Sequence, residues 1–146
     1  MNGSVFLDTN VLVYLYSRTE TKKREINLSL LKKYPCITST QALNEFTNVH
    51  TKKYKTPRTQ IRKLVEGIVR FCQIQKIEEE TIYTAIYLNE KYGYAYYDCL
   101  MLASALHAGC NLLFSEDMQN GQIIEQRYTI VNPFSNTEGE KSSNYS

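Results

Sequence analysis

Four acids stand out by their surroundings. Asp8 follows directly on the apolar run Ser4-Val5-Phe6-Leu7, and Asp117 closes Ser115-Glu116-Asp117 just after the apolar run 111–114. Asp98 opens an apolar segment that continues to His107, and Glu45 lies within the stripe formed by Ala42, Phe46 and Val49. Three residues from Ala42 and four from Val49, Glu45 shares their helix face, where a carboxylate is costly unless something compensates it. Taken singly, each acid has a structural use. Asp8 and Asp98 could cap helices, Asp117 could form a turn, and Glu45 could pair with a lysine at the edge of the core. That all four serve such separate ends is a greater coincidence than one shared site. Carboxylates brought to about 4 Å repel by roughly 4 kcal/mol per pair at an effective dielectric of about 20, so a shared site needs a cation. An all-oxygen donor set without suitable His or Cys points to Mg²⁺ or Mn²⁺ rather than zinc.

Other chemistries find little support. The two histidines, His50 and His107, have no nucleophile motif of the GxSxG kind beside them. Cys36, Cys72, Cys99 and Cys110 form no CxxC pair and sit among apolar neighbours, as small buried hydrophobes of a reducing compartment would. No apolar stretch approaches the roughly 18 residues of a membrane span. Only seven residues precede Asp8, so no signal peptide is expected and the protein reads as soluble and cytoplasmic.

The net charge of +2 conceals an asymmetry. Residues 18–76 carry fourteen Lys and Arg against four acids, a local charge of +10, and the remainder carries −8. A basic half beside an acidic remainder suits a polyanion partner next to a cation site, although lysine-rich helices also serve solubility.

The elements that must position these residues follow from periodicity. The pattern changes from strand to helix at Asp8, with Val11, Leu12, Leu15 and Tyr16 on the helical spacing. A lysine-rich helix is expected over 21–33, turning Ile26, Leu30 and Leu31 inward, then a short strand at 36–38 after Pro35. Ser39 or Thr40 caps the Glu45 helix, and Pro57 starts another to about Arg70 around Ile61, Leu64, Val65 and Ile68. Residues 74–77 read as a strand and 81–91 as a helix with Ile82, Ala85, Ile86 and Leu88 as its apolar set. A helix buried on most faces spans 98–107 with Gly109 as its C-cap, and strands follow at 111–114 and 129–131. Such alternation predicts an α/β sandwich around a mainly parallel sheet, whose ligands bind beyond the carboxyl ends of the strands. One domain over 1–134 is expected, with a disordered tail at 135–146. Tyr92, Tyr94, Tyr96 and Tyr97 lead into the buried helix and read as packing rather than base-stacking residues.

Phe6-Leu7-Asp8-Thr9-Asn10 resembles the opening motif of PIN-domain nucleases. Asn44-Glu45-Phe46, the run Tyr97-Asp98-Cys99-Leu100-Met101-Leu102-Ala103-Ser104-Ala105, and Ser115-Glu116-Asp117 look like its second, third and fourth acidic motifs, in the family's order. The likeness covers about residues 4–134 and is nearest to the VapC-type toxin ribonucleases of bacterial toxin–antitoxin pairs. It implies a three-layer α/β/α sandwich and a metal-dependent endoribonuclease. Asp8, Glu45, Asp98 and Asp117 would hold one or two Mg²⁺ or Mn²⁺ ions to activate water for attack on a phosphodiester, leaving 5′-phosphate and 3′-hydroxyl ends. Thr9, Asn10, Ser115 and Glu116 would support the carboxylates, and Lys52, Lys53, Lys55, Arg58, Arg62 and Lys63 would guide RNA phosphates. A homodimer and a cognate antitoxin covering the site are further implications. One position departs from the pattern. Many relatives carry another acid two residues past the fourth carboxylate, where this chain has Gln119, with Glu116 as a potential substitute.

Two rivals differ in kind. A haloacid-dehalogenase-type phosphatase also places Asp after its first strand, but needs a second Asp where this chain has Asn10. A non-catalytic RNA-binding or scaffold domain would keep the fold with an idle site, and RNA affinity would then survive chelation.

Overall fold

The computed structural model describes residues 3–135. Of the tail expected at 135–146, residues 136–146 lie outside the described residues.

Val5, Phe6 and Leu7 form the first strand, β1 (Val5–Leu7), and all three are fully buried, which suits a central strand covered on both faces. Helices α1 (Thr9–Leu15) and α2 (Thr21–Leu31) follow, then β2 (Cys36–Ser39), α3 (Thr40–Lys52), α4 (Arg58–Phe71) and β3 (Cys72–Gln75). The second half runs α5 (Glu79–Tyr92), α6 (Tyr96–Ala108), β4 (Leu112–Phe114), β5 (Ile123–Ile124) and β6 (Tyr128–Val131). The strand order is β3-β2-β1-β4-β6-β5, parallel throughout except for the antiparallel edge strand β5. Chain progress runs outward from β1 to β3, then returns to the other side of β1 as β4. With right-handed crossovers this reversal places α1–α4 and α5–α6 on opposite faces, the expected α/β sandwich.

The first half of the sheet sets where the acids emerge. Asp8 N–H donates to the Phe114 carbonyl (3.1 Å), lacing the ends of β1 and β4 together. Ser115 N–H donates in turn to the Val131 carbonyl (3.1 Å), and the Thr38 hydroxyl donates to the Leu7 carbonyl (2.8 Å). Ser39 caps α3 by accepting from Ala42 N–H (3.1 Å), as its position before the apolar stripe predicts. Cys99 through Ala105 are all buried, so α6 is the apolar-all-round helix that its sequence indicates. Gly109 ends it at φ 72°, a left-handed conformation that glycine adopts without a Cβ penalty. The four cysteines are buried free thiols. Among the described residues no helix is long and apolar enough to cross a membrane.

Several expectations need correction. The strand expected at 74–77 lies at 72–75, because α4 runs to Phe71 and the chain enters the sheet at once, with Cys72 paired to Cys36. The two-residue strand β5 has no counterpart in the sequence reading, since so short a run carries no readable period. On α2 the fully buried side chain is Asn27, which donates to the Val11 carbonyl (3.0 Å), while Ile26, Leu30 and Leu31 are only half-buried against the core. Ile82 and Ile86 do not face the core. They stand exposed on α5 with Tyr83 and Tyr87. The inward face is Thr81, Ala85 and Leu88, a narrow stripe that suffices because α5 packs chiefly on α6.

Candidate metal centre

Each of the four acids is brought to the carboxyl edge of the sheet by a different element. Asp8 ends β1 and caps α1, with its Oδ1 accepting from Thr9 N–H (2.7 Å). The capping role and the cleft position are therefore combined in one residue. Glu45 comes from the middle of α3, Asp98 from the first turn of α6, and Asp117 from the loop after β4. All four line one cleft of about 330 Å³ together with Thr9, Asn10, Asn48 and Val49. The cleft sits where the strand order reverses between β1 and β4, the place at which open α/β sheets bind ligands.

Neutral donors hold these carboxylates from behind. The Ser115 hydroxyl donates to Asp8 Oδ2 (2.8 Å) and accepts from Asp117 N–H (3.2 Å), so one side chain couples two of the acids. The Thr9 hydroxyl donates to Glu45 Oε1 (2.7 Å), tying α1 to α3, and Asn10 Nδ2 donates to Asp117 Oδ2 (2.8 Å). Among the described residues no Lys, Arg or His lines the cleft. Its electrostatics follow from that. Burial pushes the Asp8 pKa up to about 6, against the Ser115 and Thr9 hydrogen bonds and with a further push from the charges of Asp117 and Asp98. Asp98 is raised by burial and then by Asp117 and Glu45. Asp117 is raised by burial and by Glu116, with Asn10 and Lys23 pulling the other way. These are the signs expected of like charges sharing a low-dielectric cleft without a counter-ion.

The donors fit a hard divalent cation in type: carboxylate oxygens with amide and hydroxyl support, and no sulfur or imidazole. Their spacing is looser. Among the described residues no three His, Cys, Asp or Glu side chains stand close enough together to hold a metal ion as they are. Repulsion between the carboxylates opposes a tighter cluster.

The supporting residues divide. Thr9, Asn10 and Ser115 each hydrogen-bond to at least one of the acids. Glu116 does not line the cleft: its carboxylate accepts from the Tyr14 hydroxyl and pairs with Lys23 (2.9 Å). With its charge so engaged, it is poorly placed to replace the acid missing at Gln119. Lys52, Lys53, Lys55, Arg58, Arg62 and Lys63 are exposed at the C-terminal end of α3, in the loop after it and on α4, and none lines the cleft. Tyr92, Tyr94 and Tyr96 are half-buried as packing residues, and Tyr94 also accepts from Gln119 N–H (3.1 Å), anchoring the loop beyond Asp117. Tyr97 departs from that reading and is 60% exposed. Asn48 was missed by the sequence reading, although its place three residues after Glu45 puts it on the same helix face.

The Thr9 hydroxyl gives a specific expectation. Thr9→Val keeps the shape of the buried side chain but removes the donor that fixes Glu45. Mn²⁺ affinity, read by calorimetric titration, is expected to fall roughly 10–100-fold, the usual cost of losing a group that orients a ligand.

An α/β sheet carrying four carboxylates at its switch point defines a class of acidic, cation-seeking site. The model of the PIN domain matches residues 5–120, and the chain belongs to that family. No curated protein sequence matches it. Among solved structures, it is similar to a toxin–antitoxin complex from Klebsiella pneumoniae, with a TM-score of 0.65 at 19% identity, covering 88% of this chain and 97% of that one. It is similar also to VapC20 of Mycobacterium tuberculosis, described as a toxin that cleaves the sarcin–ricin loop (TM-score 0.62, 15% identity, 77% and 91% covered). The FitAcB structure from Neisseria gonorrhoeae superposes at a TM-score of 0.63 with 14% identity, covering 89% and 98%. At these identities the likeness is one of fold.

Proposed function

We propose that this PIN-domain protein is a Mg²⁺- or Mn²⁺-dependent endoribonuclease, the toxin of a toxin–antitoxin pair. The reading is carried by the convergence of Asp8, Glu45, Asp98 and Asp117 on one cleft that holds no cationic side chain. Asp8, Glu45, Asp98 and Asp117 would hold the ion. When bound, a divalent ion supplies an acidified water and stabilises the charge that develops on a phosphodiester, leaving 5′-phosphate and 3′-hydroxyl ends. The chain's own residues do the positioning. Ser115 keeps Asp8 and the Asp117 backbone in register, Thr9 holds Glu45, and Asn10 holds Asp117. Asn48, exposed at the rim, is placed to hydrogen-bond a substrate phosphate or hydroxyl.

RNA as substrate is supported by the +10 charge of residues 18–76, and a cognate antitoxin by the toxin–antitoxin complexes among the similar folds. The exposed apolar face of Ile82, Tyr83, Ile86 and Tyr87 supports a homodimer, since contiguous exposed apolar surface marks contact sites. A cytoplasmic location accords with RNA as the substrate.

The test is cleavage of end-labelled total RNA by antitoxin-free protein in Mn²⁺ or Mg²⁺, with EDTA and Asp98→Asn as controls. Cutting that requires the metal and is lost in the variant is the expected result. If well-folded protein cuts nothing under either metal and binds RNA equally well in EDTA, the protein is a binding module instead.

A further inference from the structure

A second concavity among the described residues is larger than the acidic cleft. It is a hollow of about 710 Å³ bounded by the end of α1, the start of α2, the loop after α3 and the start of α4. Its lining has no acid and three cations, Arg18, Arg24 and Lys55, and none of these has a carboxylate within salt-bridge distance among the described residues. Two of them, Arg18 and Arg24, belong to the basic segment 18–76 but lie outside the set expected to guide RNA phosphates. The volume falls within the range of small-ligand sites.

The hollow also has an aromatic side. Phe46, His50 and Tyr54 recur at four-residue spacing on and just beyond α3, with ring centroids 4.6 Å and then 5.2 Å apart. Phe46 is fully buried, His50 is nearly so, and Tyr54 at the outer end is 47% exposed. His50 Nδ1 is hydrogen-bonded to the Thr56 hydroxyl (2.9 Å), while its Nε2 is buried without a partner among the described residues. The turn is fixed: Thr56 N–H donates to the His50 carbonyl (2.8 Å), and Lys55 is held at φ 51°, a left-handed conformation uncommon for a lysine. Lys53 Nζ stands 5.5 Å from the centroid of the Tyr54 ring, on a flexible exposed side chain that a base can displace. Guanidiniums without a carboxylate partner beside a half-exposed ring match a phosphate and a base together.

The hollow and the cleft are lined by neighbouring residues of the chain. Val13 lines it one turn along α1 from Asn10, and His50 lines it next to Val49, while Asn10 and Val49 belong to the cleft. Resting on the nuclease reading above, we propose that this hollow is a nucleotide subsite for single-stranded RNA. A base stacks on Tyr54, the flanking phosphates bind Arg18, Arg24 and Lys55, and the strand continues past Val13 into the acidic cleft. A flexible single strand suits it, since its bases are free to leave the stack and lie on a side chain.

The experiment measures anisotropy of fluorescein-labelled oligouridylate and oligoadenylate in EDTA, together with Mn²⁺ titration and Mn²⁺-dependent cleavage. Arg18→Ala/Arg24→Ala is expected to weaken binding by about 10–100-fold and to lower the slope of log affinity against log salt by about 1.4, two phosphates at about 0.7 each. Tyr54→Ala is expected to weaken it about tenfold with the slope unchanged. Lys32→Ala/Lys33→Ala removes the same charge from the far end of α2, outside the hollow, and is expected to change affinity by about twofold at most. All variants should keep the wild-type Mn²⁺ affinity.

Equal losses from the two double variants, or a Tyr54→Ala protein that binds as the wild type does, overturn the subsite while the nuclease reading stands on wild-type cleavage. Loss of binding to a labelled oligoglutamate peptide with RNA affinity intact also overturns it, in favour of a protein-docking surface. A wild-type protein that neither binds nor cuts RNA overturns the nuclease reading and the subsite with it.

Discussion

Asp8→Asn is expected to abolish Mn²⁺-dependent RNA cleavage and, in the same protein, to raise the melting temperature measured in EDTA. The two effects have one cause. Asp8 is 5% exposed and faces Asp98 and Asp117 across a cleft without a cation, so its charge is costly until a metal arrives. An amide there still accepts from Thr9 N–H through its oxygen and can donate to Ser115 Oγ, so both contacts persist with the direction of the second reversed. Activity should fall about a thousandfold or more, because a ligand of the ion is lost.

The stability change has a pH signature. Burial lifts the Asp8 pKa from 3.8 to about 6, so between those values the folded chain holds a proton that the unfolded chain has released. Stability therefore falls as pH rises through that window, by about 3 kcal/mol in full at pH 7, and the penalty is absent below about pH 4. Asp8→Asn removes it. The gain, a rise of several degrees in melting temperature at pH 7, should shrink towards zero at pH 4. An unchanged or lower melting temperature at pH 7 would contradict the account. The same protonation predicts that wild-type Mn²⁺ affinity weakens as pH drops through about 6, with proton release on binding.

Phe46→Ala is expected to destabilise the protein by about 3–5 kcal/mol, the cost of a large cavity in a packed core. The ring is fully buried and meets Tyr16 and His50 at centroid distances of 6.0 and 4.6 Å, so truncation empties the space that seats α3 on α1. In urea the midpoint should fall with the slope unchanged. Ile86→Ala is the contrast. Removing a side chain of similar hydrophobicity from the exposed face of α5 should change the stability of the monomer by no more than about 0.5 kcal/mol, and the proposed homodimer predicts a larger loss at concentrations where the protein is dimeric. Comparable losses at the two positions would show that the Ile86 face is covered in solution.

Much of the fold was legible because its signals are local. The change of period at Asp8, Ser39 before an apolar stripe, and Gly109 after an unbroken apolar helix each mark a boundary within a few residues of chain. Reading failed where burial depends on a neighbour. Ile82 and Ile86 look like Ala85 and Leu88 in sequence, but only the stripe facing α6 is covered. Asn27 looks like a surface residue and is buried because the Val11 carbonyl lies within its reach. β3 is offset by two residues because sheet register, rather than its own composition, decides where pairing begins.

The sequence by itself determined the acids and the type of element that carries each one, since side-chain chemistry and periodicity are properties of the chain. It also marked Thr9, Asn10 and Ser115 as neighbours able to support them. Tertiary structure alone decided that Asp8 and Asp117 emerge side by side, because β1 pairs with β4 across more than a hundred residues at the reversal of strand order. It decided that Glu116 is engaged by Tyr14 and Lys23, and that Arg18 and Arg24 share a hollow with Tyr54. The reason is physical: the partners of a charge are set by distance through space, and the folded sheet, not sequence separation, fixes that distance.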